Sequence, residues 1–291
     1  MTAEPLFAPM TVVPSLAEPA TGLSPRADTG HRSSLAATRL SELSRLAIRL
    51  PALVGLALAA VTDLAVRRIK FGASWSAQRG AEWLRLWSRH ALRVMQVRVT
   101  VWGTPPTTGL LAANHPGPLG ALLLAVVQPL VFVARPEQWR WSWCRALARV
   151  AGTLFVHHRE RGQVMCLSAE YAARVERGNV MAVFPAGCTD GGETIQPFHS
   201  SLLVPATERQ WPATPVWIGC AFADESRARD GGRRRGRSFM PPLLDWLKQR
   251  EIRAVVIYGD PVCGHRERKA LARELHRRVR ALASDGQSLL R

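Results

Sequence analysis

Short runs of aliphatic and β-branched residues recur through the middle and end of the chain. They fall at 97–102 (VRVTVW), 109–113 (GLLAA), 130–134 (LVFVA), 153–157 (TLFVH), 179–184 (NVMAVF), 214–222 (TPVWIGCAF) and 252–258 (IRAVVIY). Between several of them, around 118–128, 136–150 and 162–177, the pattern reads as helix. Strands alternating with helices predict an α/β domain, a mixed, largely parallel sheet flanked by helices. Sites in such sheets form in the loops beyond the carboxyl ends of the strands. The last element, 266–282, carries Leu271, Leu275, Val279 and Leu282 on one face, with Arg and Lys elsewhere. It predicts an amphipathic cap on the sheet.

The N-terminal part has a different texture. Residues 1–40 are rich in Pro, Ala, Thr and Ser without a hydrophobic period, as expected of a disordered leader. From Leu46 to Val66 the chain turns apolar, and its uncharged stretch, Leu50 to Thr62, falls short of the ~20 residues of a membrane span. Arg49, Pro51 and Asp63 interrupt any longer window, and Arg67, Arg68 and Lys70 follow. An interfacial or re-entrant helix with basic flanks fits better than a clean span, with a buried core helix as the alternative. Trp75 to Met95 reads as a second helix. Trp83 and Trp87 lie one turn apart on it, beside a stripe of Arg85, Arg89 and Arg93. Tryptophans there suit a membrane boundary or ordinary packing on the core. Residues 226–237 (SRARDGGRRRGR) break the αβ pattern and read as a solvated insertion. The expected organisation is a leader (1–40), membrane-associated helices (41–96), an α/β domain (97–285) and a short tail (286–291).

Charge and cysteine content narrow the partners. Lys and Arg number 39 against 22 Asp and Glu, a formal charge of +17, most of it Arg. Such an excess calls for an anionic partner or surface: acidic lipid headgroups, phosphorylated substrates or nucleic acid. No nucleic-acid reader motif is present, and an apolar helix is a poor companion for that role. The five cysteines are dispersed without a C-x-x-C pair, which argues against a disulfide framework, against a metal site and for a reducing compartment. The N-terminus lacks the layout of a secretory signal.

Three segments carry candidate chemistry. In AANHPGPLGALLLA (112–125) a strand-like run ends at Asn114-His115 before a turn and a helix. A His at a strand-to-helix turn is placed to act as a base on a substrate hydroxyl. In AGTLFVHHRERG (151–162) a strand delivers His157, His158, Arg159 and Arg161 into one basic loop suited to a phosphate or carboxylate. In VFPAGCTDGG (183–192) a strand ends at Phe184-Pro185 and turns through Gly187, Cys188 and Thr189, where backbone N–H groups can cradle an anion.

By their order and spacing these segments resemble the bacterial lysophosphatidate acyltransferase family, and within it the lyso-ornithine-lipid type. Asn114-His115 match the start of N-H-x-x-x-x-D. Residues Gly152 to Val156 match G-x-[IL]-F-[IV]-x-R, and Phe184, Pro185, Gly187 and Cys188 match F-P-E-G-[TC]-x-[ST]. Thr214-Pro215-Val216 weakly echo a V-P-V strand, Phe198 to Leu202 resemble F-K-S-x-L, and the YGDPV ending followed by a basic helix is also similar. The resemblance, over about residues 45 to 285, implies a glycerolipid-acyltransferase-like α/β fold. It also implies transfer of a fatty acyl group from acyl-CoA or acyl-carrier protein to a lysolipid hydroxyl, with no bound cofactor. His115 would be the base. Asn114, His158, Arg159, Arg161, Phe184, Pro185, Gly187, Cys188 and Thr189 would bind substrate. The implied setting is the cytoplasmic face of a bacterial inner membrane, monotopic or with a single weak span, on an anionic surface.

The sequence departs from the family at three side chains. Gly120 stands at the Asp position, Ala186 at the Glu position and His158 at the Arg position, with Arg159 next to it. Removing the Asp from a serine-protease triad costs about 10⁴ in turnover. Two readings follow: a working but slow acyltransferase, and a catalytically impaired relative that binds lipid or regulates a partner.

Overall fold

The computed structural model describes residues 31–116, 119–134, 145, 148–155, 169–186, 195–222 and 240–290. Among the described residues, seven strands form one sheet: β1 (Val97–Trp102), β2 (Leu110–Ala113), β3 (Val131–Ala134), β4 (Leu154–Phe155), β5 (Met181–Val183), β6 (Ala213–Phe222) and β7 (Ile252–Tyr258), in the order β1-β7-β6-β2-β5-β3-β4. Each lies on one of the aliphatic runs read from the sequence. Strands β6, β2, β5, β3 and β4 run one way. Strand β7 is antiparallel to β6, and β1 is parallel to β7. The sheet is therefore mixed and largely parallel, as expected.

The pleat sorts the core into two halves. Leu110 and Ala112 of β2 face one side with Met181, Val183 and Trp217, while Leu111 and Ala113 face the other with Phe132, Ala182 and Ile218. All four residues of β2 are buried, because helices cover both faces. On the first face lies the C-terminal helix, Arg268–Leu290, whose Leu271, Leu275 and Val279 are buried. The expected cap is thus present. It runs on to Leu290, through the segment read as a tail, because Gly286 and Gly219 of β6 leave the room that the Trp217 indole occupies.

On the second face lie α2 (Ala77–Val94) and α3 (Leu119–Val127). Ser76 caps α2, its hydroxyl accepting from the Arg79 amide at 3.3 Å. Trp83 is buried against Ala60, Leu64 and Ala151. The packing reading therefore holds for that tryptophan, and a membrane-anchor role does not. Trp87 donates its indole N–H to Asp63 at 2.9 Å.

Helix α1 spans His31–Phe71, taking in 31–40 from the segment read as a leader. It also runs through Pro51, which removes one backbone donor. The residues read as interruptions have structural partners. Arg49 donates to the carbonyls of Leu247, Gln249 and Arg250, and Arg45 to that of Lys248 at 3.0 Å. These carbonyls lie at and just past the C-terminus of a further helix, Met240–Lys248. Two guanidinium groups thus occupy the negative end of its dipole. Leu46, Leu50 and Leu53 pack beside them against the second core half.

Replacing Arg49 with Ala uncaps that end and loosens α1 together. Urea unfolding is expected to show a loss of about 1–2 kcal/mol. An unchanged midpoint would mean that the arginine contributes nothing to holding α1.

Candidate functional site

The site begins with an asparagine that completes a strand. Asn114 follows β2 and is 3% exposed. Its side-chain amide donates to the Ile218 carbonyl at 2.8 Å, and its side-chain oxygen accepts from the Ile218 N–H at 2.7 Å. The amide continues the β2–β6 pairing where the β2 backbone turns away. A buried backbone N–H and C=O of β6 are satisfied by one side chain. Because both bonds must form at once, the chain leaves the sheet at one defined point, and His115 comes next.

His115 meets Phe184, which packs with the core half that holds Leu111 and Ala113. Its imidazole stacks on Phe184, with centroids 4.3 Å apart and planes at 30°. Burial pushes its pKa down from 6.5 to about 4. The imidazole is therefore neutral at pH 7 and available to take a proton, though desolvation also makes it a weak base.

Helix α3 starts at Leu119 and brings Gly120 back against the same ring. A Cβ at position 120 would lie 3.2 Å from His115 Nδ1 and 2.9 Å from Pro116 Cδ. The residue standing at the family's Asp position thus does face the imidazole nitrogen. The Pro116 ring presses on the space such a side chain would enter.

The third segment arrives from β5. Phe184 packs on the second core half, while Pro185 is buried and its carbonyl accepts from the His199 amide at 3.0 Å. Ala186 packs against the first core half. An apolar side chain there suits the contact that it makes. Phe198, in the stretch read as F-K-S-x-L-like, is buried edge-on against His276 at 5.4 Å. Among the described residues, the structure brings together His115, Phe184, Asn114 and Pro185. Gly187, Cys188, Thr189, His158, Arg159 and Arg161 lie outside the described residues.

The second segment begins with a structural glycine. Gly152 has φ +97°, a left-handed conformation that costs any other residue. The Thr153 amide donates to Ala148 O at 2.9 Å and the Gly152 amide to Arg149 O at 3.1 Å. This is a Schellman cap, which ends a helix and turns the chain into β4. Sequence reasoning missed two contributors to the site. Ile218 acts only through its backbone, and Pro116 acts only through its ring.

Comparison with known proteins agrees with this framework. Residues 98–219 match the family model described as Acyltransferase. The lyso-ornithine lipid O-acyltransferase of Pseudomonas aeruginosa is 32% identical over 57% of this chain and 63% of its own length, so the match spans just under two thirds of that relative. The 1-acyl-sn-glycerol-3-phosphate acyltransferase of Neisseria meningitidis serogroup B is 25% identical over 62% of this chain and 71% of its own. Among solved structures, the 1-acyl-sn-glycerophosphate (LPA) acyltransferase PlsC of Thermotoga maritima superposes with a TM-score of 0.56 at 16% identity. That superposition covers 84% of this chain and 98% of that one, and establishes a shared fold.

The packing of Pro116 on Gly120 makes the two positions interdependent. Gly120→Asp alone is expected to cost about 1–3 kcal/mol through overpacking, and Pro116→Ala beside it to recover much of that. The His115 imidazole resonance should titrate near pH 4 in the parent. In the double variant it should move upward, because a carboxylate near Nδ1 favours the charged form. The sign for stability follows from the parent value. The unfolded chain protonates this His below about 6.5 and the folded one does not, so its contribution falls as pH drops from about 6.5 to about 4. A parent midpoint at 6 or above would contradict the buried, neutral ring.

Proposed function

We propose, from the match of residues 98–219 to the Acyltransferase family model, that the protein transfers a fatty acyl group from a thioester to a lysolipid hydroxyl. The observation that carries the reading is His115, held neutral at the carboxyl end of a central parallel strand. In parallel sheets that end is where sites form, and a neutral His there can serve as a base. The imidazole takes the proton of the acceptor hydroxyl as its oxygen attacks the thioester carbonyl. The tetrahedral intermediate collapses, the C–S bond breaks, and the departing thiolate takes up the proton to leave as a thiol. An ester replaces the thioester, and the reaction needs no resident cofactor. The acyl donor is a coenzyme A or acyl-carrier-protein thioester. Arg159 and Arg161 are the proposed contacts to an anionic headgroup.

Gly120 sets the expected rate. Removing the corresponding Asp costs about 10⁴ in turnover in the serine-protease case. A slow enzyme is therefore the expectation rather than an inert one, since the base is present and neutral.

The proposed setting is the cytoplasmic face of a membrane. Helix α1 is long and apolar enough to cross a bilayer. Only one stripe of it, including Ala60 and Leu64, is buried on the body of the protein. Ile48, Val54, Leu58, Val66 and Ile69 are more than half exposed on its other sides. At its end Arg79 lies over the Phe71 ring at 4.5 Å and Arg68 over Trp75 at 5.9 Å. Apolar residues flanked by aromatic rings and cations suit an anionic lipid interface.

Purified protein incubated with acyl-CoA or acyl-carrier-protein thioesters and a panel of lysolipids should release thiol and form diacyl product. His115→Ala should abolish both. Parent activity no higher than that of His115→Ala on every acceptor would sink the enzyme reading in favour of a lipid-binding relative. Membrane seating has its own test, flotation with anionic phospholipid vesicles. Leu58→Glu with Ile69→Glu should cut binding at least tenfold, as loss of about 1.5–3 kcal/mol per buried side chain predicts. Equal flotation by parent and variant would rule this face out as the seat.

A further inference from the structure

The outer face of the C-terminal helix, Arg268–Leu290, carries a charge pattern that folding does not require. Lys269, Arg273, Arg277 and Arg280 follow one another at intervals of three and four residues, and all four are exposed. At about 100° per residue they share an arc of about 80°, opposite the buried Leu271, Leu275 and Val279. Glu274 sits at the edge of this stripe and binds Arg277 and Arg278, each at 2.7 Å. Among the described residues no acid pairs with Lys269, Arg273 or Arg280. Like charges one turn apart repel and weaken a helix, so an outer face serving stability alone would alternate its signs. Along the stripe, His276, Arg277, Arg280, Ala281 and Ser284 line a shallow recess of about 340 Å³.

Two placements say what kind of partner suits it. The C-terminal helix packs on the first core half, whereas α1 packs with the second, on the other side of the sheet. A bilayer lying against the exposed apolar side of α1 therefore leaves the stripe facing water. The stripe also adjoins a segment that leads to the base. His276 donates from Nε2 to the Ile195 carbonyl at 3.0 Å and meets Phe198 edge-on. The next residue, His199, donates its amide to the Pro185 carbonyl, and Pro185 follows the Phe184 ring on which His115 stacks.

We propose that this stripe is the docking surface for an acidic carrier protein that presents the acyl thioester. The proposal rests on the acyl-transfer reading above and names the form of donor that the surface fits. An acidic helix laid along Lys269 to Arg280 meets cations over about 16 Å. Its carboxylates pair with the three unpaired side chains, and one enters the recess beside Arg280. Exposed charges of this kind set encounter rate and register. A coenzyme A thioester brings no protein surface and has no need of the stripe.

The test compares two donors of one acyl chain on the full-length protein, with the same lysolipid. Lys269→Glu, Arg273→Glu and Arg280→Glu together should raise KM for the carrier-protein thioester by about tenfold or more, while KM for acyl-CoA stays within about twofold. The matching triple Gln variant should fall between parent and triple Glu variant, and it decides the matter if the Glu variant does not fold. Added salt should shrink the difference between parent and variant. Equal shifts for both donors, or no shift for the carrier-protein thioester, would overturn the proposal.

Binding is measured separately, by titrating unacylated carrier protein into parent and variant. The parent should bind and the triple variant should bind about tenfold more weakly. Absence of binding by a parent that turns over acyl-CoA overturns the docking surface and leaves the acyl-transfer reading standing. Stripe-dependent binding by a protein that acylates no lysolipid upholds the surface and rejects that reading. Loss of flotation with anionic vesicles, with carrier binding unchanged, assigns the stripe to lipid and overturns the proposal.

Discussion

The pairing of the Asn114 amide with both backbone groups of Ile218 is the constraint on which the site depends. It is buried, so neither bond can be exchanged for water at low cost. It joins β2 to β6 past the last true ladder pair, Ala113 with Val216. It also lets the β2 backbone depart from the sheet without leaving β6 unsatisfied. The placement of His115, its approach to Phe184 and the return of α3 all follow from that departure. An asparagine suits the position because its side chain carries one donor group and one acceptor in the arrangement of a peptide bond.

Much of the fold was legible because a two-face sheet leaves a strong mark. Runs such as VRVTVW and IRAVVIY are too short and too β-branched to be helices, and all seven became strands. Capping of the sheet was legible in the spacing of Leu271, Leu275 and Val279. Helix α1 was harder. Arg49 and Asp63 look like breaks in an apolar run when only composition is weighed. Their partners, the end of helix Met240–Lys248 and the Trp87 indole, come from elsewhere in the chain. Helix Met240–Lys248 itself went unread, as two prolines in its first turn hide a helix start that they in fact permit.

The site was legible in its residues and not in its geometry. Asn114 and His115 stand out because a strand ends on them. The stack of His115 on Phe184 joins residues far apart in sequence, and no local pattern announces it. Gly152 looked like part of a binding motif, and its backbone shows a helix cap that delivers β4. The same motif position can therefore be kept for folding even where the chemistry drifts. Ala186 illustrates the converse: it stands where a carboxylate would and packs on the core instead.

Pro116 lying against Gly120 also has a historical meaning. Of the two routes by which a lineage could move between this loop and one bearing an acid at position 120, only one avoids a crowded intermediate. The ring must go before the carboxylate comes, or the carboxylate must go before the ring arrives. Gly120 by itself is one substitution away from an acid. With Pro116 in place that single step is obstructed, since the new side chain would have to displace the ring.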